Sequence, residues 1–222
     1  MIPILSAGIA PGLALLVFFY LRDRYEAEPV LTVAKAFLYG IVVTFPVMFF
    51  QYVLVEEQIV GPGFVQAFFS TAIPEEFMKW FILYFLIYSH THFDEPYDGI
   101  VYATSVSLGF ATAENVLYLV AHGVEYAFVR ALLPVSSHAL FGAIMGYYFS
   151  RAKFGDQYAE KKMLAFAFFV PFFLHGLFDY ILVIESTWIY YMIPFMLFLW
   201  WFAMQKVKKA HILTEAYHKL KL

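Results

Sequence analysis

The sequence predicts an all-α, polytopic transmembrane bundle of about seven spans, with its N-terminus outside and its C-terminus inside. Three observations carry this. Of 222 residues, 63% are hydrophobic and only 14% charged, against about 45–50% and about 25% in a soluble globular domain. Mean hydropathy is +0.72. Apolar stretches of about 20 residues, enough for one helix to span a bilayer, recur along the chain, and the lysines and arginines between them are distributed one-sidedly. Such a chain lacks the polar residues to cover a water-facing surface. The same composition excludes intrinsic disorder and collagen. With no Cys there is no disulfide, no thiolate metal ligand and no Cys nucleophile. A net charge of −3 and a pI near 6.1 argue against a nucleic-acid partner.

The spans follow in order. Ile2 to Leu21 is apolar and closed by Arg22-Asp23-Arg24; without a basic leader or a small-residue cleavage site it reads as a retained helix. Val33 to Val55 stops at Glu56-Glu57. After the Gly61-Pro62-Gly63 turn a third span runs from Phe64 to Ser89, and His90 to Asp98 is a polar loop rich in His and acid. Gly99 to Val120, Ala131 to Ser150, Met163 to Val183 and Trp188 to Met204 complete the set. We see neither a second domain nor an internal repeat, so residues 1–222 are expected to form one integral-membrane domain, with 205–222 as a basic cytoplasmic tail. In that tail Ile212, Leu213, Ala216, Tyr217 and Leu220 form one helical stripe. It reads either as a helix lying on the inner membrane surface or as a frayed, solvated end.

Orientation comes from Lys and Arg in the loops. Arg22, Arg24 and Lys35, then Arg151, Lys153, Lys161 and Lys162, then Lys206, Lys208, Lys209, Lys219 and Lys221 all fall on one side of a seven-span chain. The other side holds only Arg130, and Lys79 lies inside a span.

A charge at mid-bilayer costs about 2.5–3.5 kcal/mol on insertion scales, so each one needs a reason. Span three carries Glu75 and Glu76 with Lys79 three and four residues on, a spacing that lets either pair meet on one face. A self-neutralised ion pair explains one Glu but not two. Span four carries Glu114-Asn115, span five His138, and span six His175 with Asp179 one turn away. At about 1.5 Å of rise per residue, Glu75, Glu76, Glu114, His138 and His175 all lie about 9–17 Å below the outer end of their spans. Two His and three Glu at one depth are ligand types for a metal, and zinc suits imidazole and carboxylate. His138, His175 and Glu114 are the expected ligands, with Glu76 as an alternative third. Glu75 and Glu76 together supply the general base, and the sequence leaves open which one does. Lys79, Asn115 and Asp179 are expected to orient and neutralise these groups. No His-Glu-x-x-His helix is present. Ser136 and Ser137 adjoin His138 in sequence but point away from it on a helix.

Four motifs in order then become recognisable: Glu75-Glu76-x-x-Lys79, Phe110-x-x-x-Glu114-Asn115, His138-x-x-x-Gly142 and His175-Gly176-x-x-Asp179. Together with His92-Phe93-Asp94-Glu95-Pro96-Tyr97-Asp98-Gly99, Val101-Tyr102 and Ser6-Ala7-Gly8-Ile9-Ala10-Pro11-Gly12, they resemble the PrsW family of bacterial intramembrane proteases over essentially the whole chain. The resemblance implies a multi-pass enzyme of the bacterial cell membrane. Its expected act is the first, extracytoplasmic-side cut in a single-pass anti-sigma factor, which starts the release of an extracytoplasmic-function sigma factor under envelope stress. The family is similar to the CAAX-prenyl-protease group, from which this chain departs by having Glu114 where that group has His; His138 is the candidate for the missing imidazole. Two other classes bury similar residues: a non-catalytic scaffold that presents a substrate, and an ion-coupled transporter.

Overall fold

The computed structural model describes residues 1–184 and 187–221, and these are helical apart from short connections. The helices are α1 (Ile2–Tyr20), α2 (Val30–Glu56), α3 (Ile73–Ile82), α4 (Asp98–His122), α5 (Ala127–Arg130), α6 (Ser136–Lys153), α7 (Glu160–Val183) and α8 (Trp188–Lys221). Five stretches are long and apolar enough to cross a membrane: α1, α2, Val124–Lys153, Gln157–Val183 and Trp188–Leu220. α3 lies between two wider, π-helical stretches, Gln66–Ala72 and Leu83–Ile87, and a third, Ala131–Val135, leads into α6. Pro74 and Pro134 explain two of these, because a proline has no N–H to return to the carbonyl four residues back. Such local widening is frequent at functional sites.

α4 is the axis of the bundle. From Asp98 to Ala113 it is buried on every side, packed by α1, α2 and α6. Small residues permit this, since between apolar helices in lipid it is close backbone approach that drives packing. A methyl on Gly109 would overlap the Phe37 carbonyl of α2, and one on Gly40 of α2 would overlap the Val106 carbonyl of α4. On the opposite flank Ser107 Oγ donates to the carbonyl of His138 at 2.7 Å, fixing α6 beside α4 where the site lies.

Two parts of the sequence reading change. The segment after Met204 does not fray; it continues α8 to Lys221. Val207, Ala210 and Thr214 are buried, whereas Ile212 and Leu220 of the expected stripe are exposed. The face that docks is set by partners elsewhere in the chain: His211 stacks on Tyr97 at 4.3 Å, and His218 meets Glu95 at 2.5 Å. The polar loop after α3 is exposed at His90, His92 and Asp94 but tucks Phe93, Glu95 and Tyr97 into the core.

Candidate active site

α3, α4, α6 and α7 bring Glu75, Glu76, Lys79, Glu114, His138, His175 and Asp179 together. Lys79 is the hub, and the i,i+3 and i,i+4 spacings work at once rather than as alternatives. Its Nζ lies 2.7 Å from Glu76 Oε1, 3.5 Å from Glu75 Oε2 and 3.0 Å from His138 Nδ1. Those three partners match the three protons of an ammonium. The Phe110 ring lies 4.3 Å from Nζ on a fourth side. Lys79, Glu75 and Glu76 are each at most 2% exposed.

The two imidazoles are held differently. His175 Nδ1 donates to Glu76 Oε1 at 2.8 Å, which leaves its Nε2 facing Asp179 Oδ2 at 3.4 Å and Glu75 Oε2 at 3.9 Å. Phe141 stacks on the ring at 5.1 Å. Gly176 lets the adjoining backbone close on the Phe68 ring, where a methyl would not fit. His138 stands perpendicular to His175 with ring centroids 5.0 Å apart. Its Nδ1 receives Lys79, and its Nε2 lies 3.2 Å from Glu114 Oε2 and 4.0 Å from Glu75 Oε2. Glu75 Oε2 thus faces both Nε2 atoms, while Glu75 Oε1 accepts from Gln51 of α2 at 2.9 Å. Gln51 was not foreseen from sequence; as an unremarkable amide in an apolar span it gave no periodic signal.

The donor set fits a metal. One donor atom each from Glu75, Glu76, His138 and His175 lies within 4.8 Å of the others. Glu76 Oε2 and Asp179 Oδ2 are buried with no hydrogen-bond partner among the described residues. Two carboxylates around His175 Nε2 call for a cation on that nitrogen, either a proton or a metal. Glu114, expected as a ligand, is outside the group of four and keeps 22% side-chain exposure, so it borders the site on its open side together with Asp179 at 19%. Asn115 belongs to a structural tie. Its Nδ2 donates to the Gly8 carbonyl at 3.0 Å, and its Oδ1 accepts from Arg130 Nε at 3.0 Å. Ser136 and Ser137 bond back to the carbonyls of Leu132 and Pro134, leaving neither as a nucleophile poised on His138.

Residues 28–204, which contain every one of these side chains, match the family described as PrsW family intramembrane metalloprotease. The chain belongs to the PrsW family. It is 58% identical to Protease PrsW of Bacillus subtilis over 95% of this chain and 96% of that one. It is also 58% identical to Protease PrsW of Geobacillus kaustophilus, over 95% and 93%. With Protease PrsW of Clostridioides difficile the identity is 32% over 91% and 89%. No solved structure matches the chain. PrsW membership and five membrane-length helices make this a multi-pass membrane protein of protease type, with a lipid bilayer around it and a protein as substrate.

Proposed function

We propose that the chain is an intramembrane endopeptidase that makes the first, outer-side cut in a single-pass anti-sigma factor. That cut begins the release of an extracytoplasmic-function sigma factor under envelope stress, and the enzyme works in the bacterial cell membrane with seven spans, N-terminus out and C-terminus in. The observation that carries this reading is the convergence of Glu75 Oε2 on the Nε2 atoms of His138 and His175, at 4.0 and 3.9 Å, in a buried site.

In this reading a zinc ion would be held by His138, His175 and Glu114, whose Oε2 reaches to 3.2 Å from His138 Nε2 although it lies outside the tightest group of four. Bound there, zinc would supply Lewis acidity toward the scissile carbonyl and would lower the pKa of a water molecule so that it gives up its proton more readily. The chain's own groups do the rest. Glu75 is the general base that takes the proton of the attacking water. Glu76 accepts the Nδ1 proton of His175 and so turns its Nε2 lone pair into the site. Lys79 offsets the charge of the two carboxylates in a dry environment. His138 Nε2 is free to bind a metal only when its ring proton is on Nδ1, so Lys79 then bonds to Glu75 and Glu76 alone.

The test uses the purified chain and a purified single-pass anti-sigma factor in the same micelles. We expect one cut on the outer side, lost on metal removal and restored by zinc. An intact substrate under every metal condition would favour a presenting scaffold, and Glu75-dependent solute flux in proteoliposomes would favour a transporter.

A further inference from the structure

A second group of carboxylates gathers at the other end of α4. Asp23 and Glu28 come from the α1–α2 connection, Asp94 and Glu95 from the segment before α4, and Asp98 from its first turn. Asp98 and Glu114 are sixteen residues apart on one helix, about 24 Å at about 1.5 Å per residue. This group is therefore distinct from the peptidase site.

One oxygen each of Asp23, Glu95 and Asp98 lies within 4.8 Å of the other two, and the same holds for Glu28, Asp94 and Asp98. Glu95 and Asp98 are 1% and 0% exposed. Some of their oxygens are satisfied. Asp98 Oδ2 accepts from the backbone amides of Asp94 and Glu95 at 2.9 and 2.6 Å, Glu95 Oε2 meets His218, and Glu28 accepts from the Tyr102 hydroxyl. The rest are not. Asp98 Oδ1, Glu95 Oε1 and both Asp23 carboxylate oxygens are buried without a hydrogen-bond partner among the described residues. Among those residues the only ion pair made by any of the five is Glu95 with His218.

Buried carboxylate oxygens without partners are costly, and proteins commonly resolve them by coordinating a cation. Hard divalent cations take oxygen ligands, calcium at about 2.3–2.6 Å, so oxygens on opposite sides of it stand about 4.6–5.2 Å apart. Oxygens no more than 4.8 Å apart can share one such ion. We propose that Asp23, Glu95 and Asp98 bind one hard divalent cation of the size of Ca²⁺ or Mn²⁺, with Glu28 and Asp94 on its open side. The ion clips the α1–α2 connection and the segment before α4 to each other and, through Glu95 and His218, to the end of α8. The crowding it relieves is visible in Asp23, which burial and then the charge of Glu95 push up to about 7.

The test uses the full chain in detergent, stripped with chelator. Mn²⁺ binding is followed by electron paramagnetic resonance and thermal stability is followed with added Ca²⁺. We expect one bound Mn²⁺ that persists in the His138→Ala/His175→Ala variant, is displaced by Ca²⁺, and weakens at least tenfold in Asp23→Asn. The native chain should also melt several degrees higher with millimolar Ca²⁺, a readout that needs no variant to fold. A native chain whose melting ignores Ca²⁺ and Mn²⁺, or Mn²⁺ binding that Asp23→Asn leaves unchanged, overturns the proposal. Both readouts are binding rather than cleavage, so they fail separately from the peptidase reading.

Discussion

His175 and Glu76, ninety-nine residues apart in sequence, share a 2.8 Å hydrogen bond between ring Nδ1 and carboxylate Oε1 that joins α7 to α3. The same Glu76 oxygen is 2.7 Å from Lys79. One carboxylate oxygen therefore fixes the tautomer of an imidazole and anchors a buried ammonium, and Glu76 is already committed before any water or substrate enters. Its neighbour Glu75, one helical position of about 100° away, presents its Oε2 to both imidazoles instead.

Glu76→Gln should therefore damage the fold as well as the chemistry. The neutral amide leaves Lys79 with less compensation, and breaking a buried ion pair costs about 3–5 kcal/mol. We expect a lower unfolding midpoint and little cleavage. In Glu76→Gln/Lys79→Met, which also strips buried Glu75 of its cation, the midpoint should fall further and cleavage should stay low. Thermal unfolding and substrate cleavage of both variants check this.

Gly109→Ala is expected to destabilise without touching the site. The added methyl meets the Phe37 carbonyl, which is backbone and cannot rotate away. Overpacking of this kind costs about 1–3 kcal/mol. The measurement is the unfolding midpoint in micelles, with Gly61→Ala as control because nothing lies within 4 Å of a methyl there.

Asn115→Ala should act as a loosened strap. It removes two hydrogen bonds, to Gly8 and from Arg130, each 3.0 Å long. Losing partners of buried groups costs about 1–3 kcal/mol. Reduced stability with an unaltered metal content and KM would place Asn115 outside the chemistry. A selective loss of bound metal would return it to the site.

The orientation is tested with a reporter fused after Leu222. Twelve basic residues in the loops of one side against Arg130 alone predict activity only of an inside reporter. Activity of an outside reporter would reverse the topology.

What the sequence disclosed and what it hid divide along physical lines. Contacts within one helix were legible, because 3.6 residues per turn puts Lys79 over Glu75 and Glu76, and Asp179 over His175. Depth arithmetic brought the four helices' groups to one level. The rotation of each helix about its axis was not legible, since it is decided by partners far away in the chain. Asn115 thus turned to Gly8 and Arg130, Glu114 to the site's open side, and α8 docked through Val207, Ala210 and Thr214. The loop before α4 read as polar and rich in His and acid, and the burial of its Phe93 and Tyr97 in the core was not legible.

The most direct test of the peptidase centre is Glu75→Gln, which keeps the shape of the side chain and removes its basicity. Cleavage of a purified single-pass anti-sigma factor is measured for the native chain and the variant at matched unfolding midpoints and matched metal content. General-base catalysis contributes about 10²–10⁴-fold, so the variant should bind the substrate and cut it at least about a hundredfold more slowly. Cutting at near-native rate by Glu75→Gln would contradict the account.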